Sequence, residues 1–162
     1  MFGKDRKIVL GLGNILNRDE GLGVHCLKPL QERIGNTHNV ELLDGGVLGM
    51  NLLPFVEASS HLLLLDAIDA RKEPGTVIEL SKDAIPLYTQ VKMSQHQVTF
   101  QEVLEFAAMR GKFPKYLHLI GAQPEDIEIG AEMSSAVAAA IPEIVERAMA
   151  ILKKWELLEK DL

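Results

Sequence analysis

Four places in the sequence carry residue types that hold metals. Asp19 and Glu20 follow the glycine-rich run of Ile8–Gly23, which reads IVLGLGNILNRDEGLG. Asp44 stands immediately before Gly45 and Gly46, and Asp66 closes His61–Leu65, the most apolar run in the chain. His96 sits at the end of a long stretch, Ser81–Gln97, that has no clean period. Carboxylates with an imidazole make a shell suited to a divalent transition metal. Like charges gathered in a crevice are costly, and a cation removes that cost. Each carboxylate also has a plainer reading. Asp19 and Glu20 suit a helix N-terminus, and Asp44 and Asp66 suit strand-end turns. Their joint placement at the ends of successive strands is what points to a cation.

Other chemistries fit less well. Gly11 and Gly13 begin a dinucleotide fingerprint, but its third glycine falls on Leu16. Asp44 lies 44 − 13 = 31 positions past Gly13, too far for the ribose-binding acid. A pyrophosphate would also meet carboxylates. Ser94 has no nucleophile elbow around it. Cys26 falls inside a helical pattern and reads as a small core residue, with His25 beside it as a surface histidine. His118 reads as a sheet residue, and His38 and His61 as solvated border residues.

The elements that must position these groups follow from periodicity. Ile8–Gly11, Val40–Leu43, His61–Leu65, Thr76–Leu80 and Tyr116–Ile120 read as strands. Val24, Leu27, Leu30 and Ile34 mark one face of a helix over Leu22–Ile34. Leu48–Ala58 is a short helix that Pro54 kinks or divides. Thr99 and Glu102 form a capping box that opens a helix running to about Met109 and stopped by Gly111. Ser134 or Ser135 caps a final helical region reaching Leu158, with Pro142 opening a new turn inside it. Only Ala67–Gly75 joins the third strand to the fourth. A parallel crossover needs about a dozen residues, so the fourth strand is antiparallel and near an edge.

The expected fold is α/β, a doubly wound five-stranded mixed sheet, mostly parallel, with helices on both faces. In that topology strands one to three end on one edge, where Glu20, Asp44 and Asp66 converge. His96 joins them only if the loop after strand four folds back. Gly11, Gly13, Gly21, Gly45 and Gly46 shape the loops there.

At 162 residues the chain reads as one domain, with 47% hydrophobic and 25% charged residues. A net charge of −6 argues against nucleic acid and against an anionic membrane as partner. One cysteine permits a reducing compartment, and no run has the length of a membrane span. With no signal-peptide core, the expected location is cytoplasmic.

GLGNILNRDEGLGVH, LLDGGVLGMNLL, LLLLDAIDARKEPGTV and KMSQHQVTFQEVL, in this order, resemble the hydrogenase maturation endopeptidases. The resemblance extends through GKFPKYLHLIGAQPEDIE and the final helix. It implies a twisted α/β sheet and a protease that trims the C-terminal extension of the nickel–iron hydrogenase large-subunit precursor after nickel insertion. Glu20, Asp66 and His96 match the family's metal-contacting positions, and Asp44 matches the aspartate of its Asp-Gly-Gly motif. The implied metal is nickel carried by the substrate, for which other divalent metals can substitute. Asp44 is the candidate general base. A non-proteolytic metal-binding chaperone for the same precursor is the competing reading.

Overall fold

The computed structural model describes residues 6–36, 39–85 and 95–160, with the side chains of 95–99 and 157–160 outside the description. Five strands, β1 (Arg6–Leu12), β2 (Glu41–Gly46), β3 (Ser59–Ala67), β4 (Val77–Ser81) and β5 (Tyr116–Ala122), form one sheet in the order β2-β1-β3-β5-β4. β1 pairs in parallel with β2 and β3, and β3 with β5. β4 runs antiparallel to β5 at the edge, as the short connection from β3 requires. The apolar run of β3 is the middle strand. It is buried on both faces, which is why it shows no polar alternation.

Alternation along the strands divides the core in two. Val9, Leu63 and Leu65 point to the face covered by α1 (Leu22–His25), α2 (Leu27–Ile34) and the C-terminal helices. Ile8, Leu10, Leu62 and Leu64 point to the face of α3 (Leu53–Ala58) and α4 (Gln95–Met109). Two further helices follow β5, α5 (Ser135–Ala138) and α6 (Ile141–Lys160), with Pro142 in the first turn of α6 as expected.

Several boundaries differ from the sequence reading. The expected helix over Leu22–Ile34 is broken at Cys26. Pro29 has no N–H to offer the His25 carbonyl, so the ladder is interrupted there. Pro54 divides its segment too, into a 3-10 turn over Gly49–Leu52 and then α3. α4 starts at Gln95, one turn before Thr99, so Thr99 is inside the helix and not its cap. No glycine or proline in Gln95–Val98 opposes that extension. Residues 86–94, including Ser94, and His38 lie outside the described residues.

His61 is a correction of another kind. It is buried, stacked on Tyr116 with ring centroids 4.5 Å apart and edge-on to Trp155 at 5.1 Å. Neither aromatic is near it in sequence, so its surroundings come from β5 and α6.

Candidate functional site

The carboxyl ends of β1, β2 and β3 meet at one edge, and close backbone approach holds them there. Gly11 of β1 stands between Asp44 of β2 and Leu65 of β3 in the register. Gly13 then donates its N–H to the Gly46 carbonyl at 3.0 Å, tying the first loop to the end of β2. Gly13 has φ +117, where an L side chain is strained. A Cβ there would lie 1.8 Å from the Glu20 carbonyl oxygen and 3.5 Å from Asp66 Oδ1. The absent side chain thus lets the backbone of Glu20 and the carboxylate of Asp66 close on the same point. Gly23 repeats the device behind them, with a Cβ placed 2.0 Å from the Leu65 carbonyl.

Asp66 is buried, and its Oδ1 accepts the Ala67 N–H at 2.8 Å. Glu20 is half-buried in the 3-10 turn over Arg18–Gly21 that leads into α1. Asp44 is exposed and belongs to β2 itself, not to a following turn, because β2 stays paired with β1 as far as Gly46. Gly45 packs toward Leu12 and Leu52 on the α3–α4 face, so alternation turns Asp44 to the opposite face. Asp66 follows Leu65 of the α1–α2 face and precedes Ala67 of that face, so it points the other way. Asp44 and Asp66 are therefore on opposite faces, with β1 between their strands.

The backbone of His96 lies in the first turn of α4, and its side chain is outside the described residues. Among the described residues no three His, Cys, Asp or Glu side chains are grouped as a metal shell.

Asp19 has a role that its position beside Glu20 did not reveal. It is fully buried. Its Oδ2 accepts the backbone N–H groups of Glu125 and Asp126, each at 2.9 Å, and the Ser134 hydroxyl at 2.8 Å. Its Oδ1 accepts the Ser134 N–H at 2.8 Å. Burial pushes this carboxyl up, but the hydrogen bonds together outweigh it and hold the group below the usual carboxylate value. Asp19 does not cap a helix. Ser134, at the N-cap of α5, makes no capping bond with its side chain and gives its hydroxyl to Asp19.

Arg18 reinforces the same junction. Its φ is +45, its Nη1 donates to Asp126 Oδ2 at 2.6 Å, and its Nε donates to the Glu132 carbonyl. Asn17 Nδ2 reaches the Ile127 carbonyl, and Gly130 N reaches the Leu16 carbonyl. The first loop is thereby zipped to the segment after β5. Gln123 does similar work after β3, accepting the Ala70 and Lys72 N–H groups through Oε1 and donating to Asp69. No local pattern signals these roles, because each partner is more than fifty residues away in the chain.

Cysteine chemistry has no place here. Cys26 is fully buried, and desolvation pushes its thiol up to about 12. Its position in the core is the small-residue role expected of it.

A family model described as hydrogenase maturation protease (HycI) matches residues 24–151. The hydrogenase expression/formation protein HupD of Rhizobium leguminosarum bv. viciae is 42% identical over 152 residues, spanning 93% of this chain and 75% of that protein. The hydrogenase 2 maturation protease of Escherichia coli K12 is 38% identical over 150 residues and 92% of each chain. Among solved structures, the hydrogenase maturating endopeptidase HybD from E. coli superposes with a TM-score of 0.87 at 37% identity, covering 92% of this chain and 93% of that one. The [NiFe] hydrogenase maturation protease HybD from Thermococcus kodakarensis gives a TM-score of 0.72 at 25% identity, covering 91% and 99%.

Proposed function

The chain belongs to the hydrogenase maturation protease family, and on that premise we propose that it removes the C-terminal extension of the nickel–iron hydrogenase large-subunit precursor once nickel is in place. Membership makes it a peptide-bond hydrolase. The finer steps are our reading. The metal is the substrate's cargo, and Glu20, Asp66 and His96 contact it, so that the protease senses whether insertion is complete. A metal held in this way can orient the extension, polarise a carbonyl and lower the pKa of a water.

The observation that carries this reading is the close approach at Gly13, where the backbone of the Glu20 turn and the Asp66 carboxylate close on one point. The commitment of Asp19 to the segment after β5 supports Glu20 as the carboxylate of the pair that serves the metal. An incomplete shell suits a metal whose other ligands come from a partner. Asp44 is the candidate general base. Its exposure and its place on the opposite face support action on a chain lying across the sheet edge, not membership of the same shell.

The test uses nickel-loaded precursor carrying its extension, with product mass as readout. Glu20→Gln, Asp66→Asn and His96→Ala are each expected to slow processing by about 100-fold or more with the fold intact. Wild-type rates in all three would overturn the site assignment. An unchanged precursor mass with the wild-type protein would favour a non-cutting chaperone. Equal cutting of nickel-free precursor would refute the checkpoint.

A further inference from the structure

Three loops bonded to one another lie beside Gly13, and all three expose apolar side chains. The first carries Ile15 and Leu16, the second Val47 and Leu48, and the third Ile127 and Ile129. Leu16 is 66% exposed and Ile129 is 89% exposed. The loops are bonded to one another: Gly13 to Gly46, Gly130 to Leu16, and Asn17 to Ile127. The six side chains thus stand on one connected rim. Ile15 is also held against Gly21, where a Cβ would lie 2.8 Å from the Ile15 Cα.

The charge of the rim is one-sided. The stretches 13–20, 44–52 and 123–134 contain one basic residue, Arg18, and seven carboxylates, and the adjoining loop after β3, bonded to Gln123, sets Arg71 and Lys72 against Asp69 and Glu73. Arg18 is already paired with Asp126, and Asp19 is buried, so Glu125, Glu128, Glu132 and Asp44 leave a negative border. An apolar patch bordered by charge is the anatomy of a protein-binding surface. The border selects the partner. A second copy of this chain would set two acidic rims against each other, and an anionic lipid surface would be repelled.

Resting on the function proposed above, we propose that this rim is the docking surface for the C-terminal segment of the precursor, and that the docking segment is apolar with basic side chains flanking it. Apolar side chains of the segment lie on the loops at Leu16, Val47 and Ile129. Its cations face Glu125 and Glu128. The rim thereby sets affinity and leaves the chemistry to Glu20, Asp66 and His96.

Steady-state processing and calorimetric binding of the nickel-loaded precursor test this with full-length protein. A Leu16→Asp/Ile129→Asp variant is expected to raise KM and Kd by about tenfold or more, with kcat within about twofold of wild type. A Glu125→Lys/Glu128→Lys variant should raise both constants as well. The wild-type KM should rise between about 0.05 and 0.5 M salt. These side chains are exposed, so thermal unfolding should be nearly unchanged and serves as the folding control.

Unchanged KM and Kd in both variants would overturn the docking surface while leaving the protease reading intact. Binding that the variants weaken, with no cleavage by any form, would uphold the surface and sink the protease reading. Absence of any binding by the wild type would overturn the surface. So would a wild-type dimer in sedimentation that Leu16→Asp dissolves, since the rim would then be covered by a second copy.

Discussion

Ser134 donates both its backbone N–H and its hydroxyl to the Asp19 carboxylate, each at 2.8 Å, across 115 positions of sequence. This pair joins the loop that follows the first strand to the segment that follows the last. Glu20 is the next residue after Asp19, so the same junction fixes the turn that carries it. Asp19 is thus a positioning residue for the Glu20 turn.

Asp19→Ala removes the acceptor for four buried or partly buried donors. An unsatisfied buried donor costs about 1–3 kcal/mol, so a loss of about 3 kcal/mol or more is expected in denaturant unfolding. Asp19→Asn keeps the shape and one carbonyl oxygen and should cost about 2 kcal/mol. If the turn is held by Asp19, the Asn variant should lower kcat more than it raises KM. A stability loss below about 0.5 kcal/mol for Asp19→Ala would contradict the tether.

The same carboxylate predicts a pH dependence. Its folded-state value lies below the unfolded value of about 3.9. A depressed carboxyl contributes stability above its unfolded value and loses it as pH falls through the folded value. Wild-type stability should therefore fall more steeply than that of Asp19→Asn below about pH 4. Parallel acid-unfolding curves for the two proteins would count against this assignment.

Gly13→Ala should be severe. The residue sits at φ +117, and the added Cβ would meet the Glu20 carbonyl at 1.8 Å, a backbone atom that no side-chain rotation can move. Strain of this kind costs on the order of 1–3 kcal/mol before the clash is relieved. Loss of processing together with a lowered Tm is the expected result. Gly35→Ala provides the comparison, since Gly35 also has positive φ, +58, but open space around it. Equal effects at the two sites would mean that the close approach at Gly13 has no consequence.

Cys26 should be silent in the native protein. It is fully buried, and its thiol is pushed up to about 12, so thiolate at pH 8 is a minute fraction. A disulfide reagent should label it only after denaturation, and Cys26→Ser should still process precursor. Rapid native labelling would show that the core near α1 opens readily.

Local spacing carried much of the fold. The five strands are visible as apolar runs because a buried parallel strand needs no polar face. The short connection from Asp66 to Thr76 was enough to make β4 antiparallel and peripheral. Pro54 and Pro142 marked the two divided helices, since a missing N–H acts on its own turn. Pro29 acts the same way at Cys26, though the apolar stripe running through it obscured the break. Thr99 misled because a capping pattern says where a helix can begin, and nothing in Gln95–Val98 stops it beginning earlier.

The site divides along the same line. By itself, the sequence determined that carboxylates stand at or beyond the carboxyl ends of three strands and that glycines accompany two of those ends. Those are properties of residue type and order. Only the tertiary structure decided that Asp19 belongs to the fold, that Asp44 and Asp66 turn to opposite faces, and that His61 is enclosed by Tyr116 and Trp155. Adjacent carboxylates such as Asp19 and Glu20 have nearly the same chemistry in the chain. What separates them is the set of donors at Glu125, Asp126 and Ser134, more than a hundred residues away, and no local period can encode a contact made only when the sheet closes.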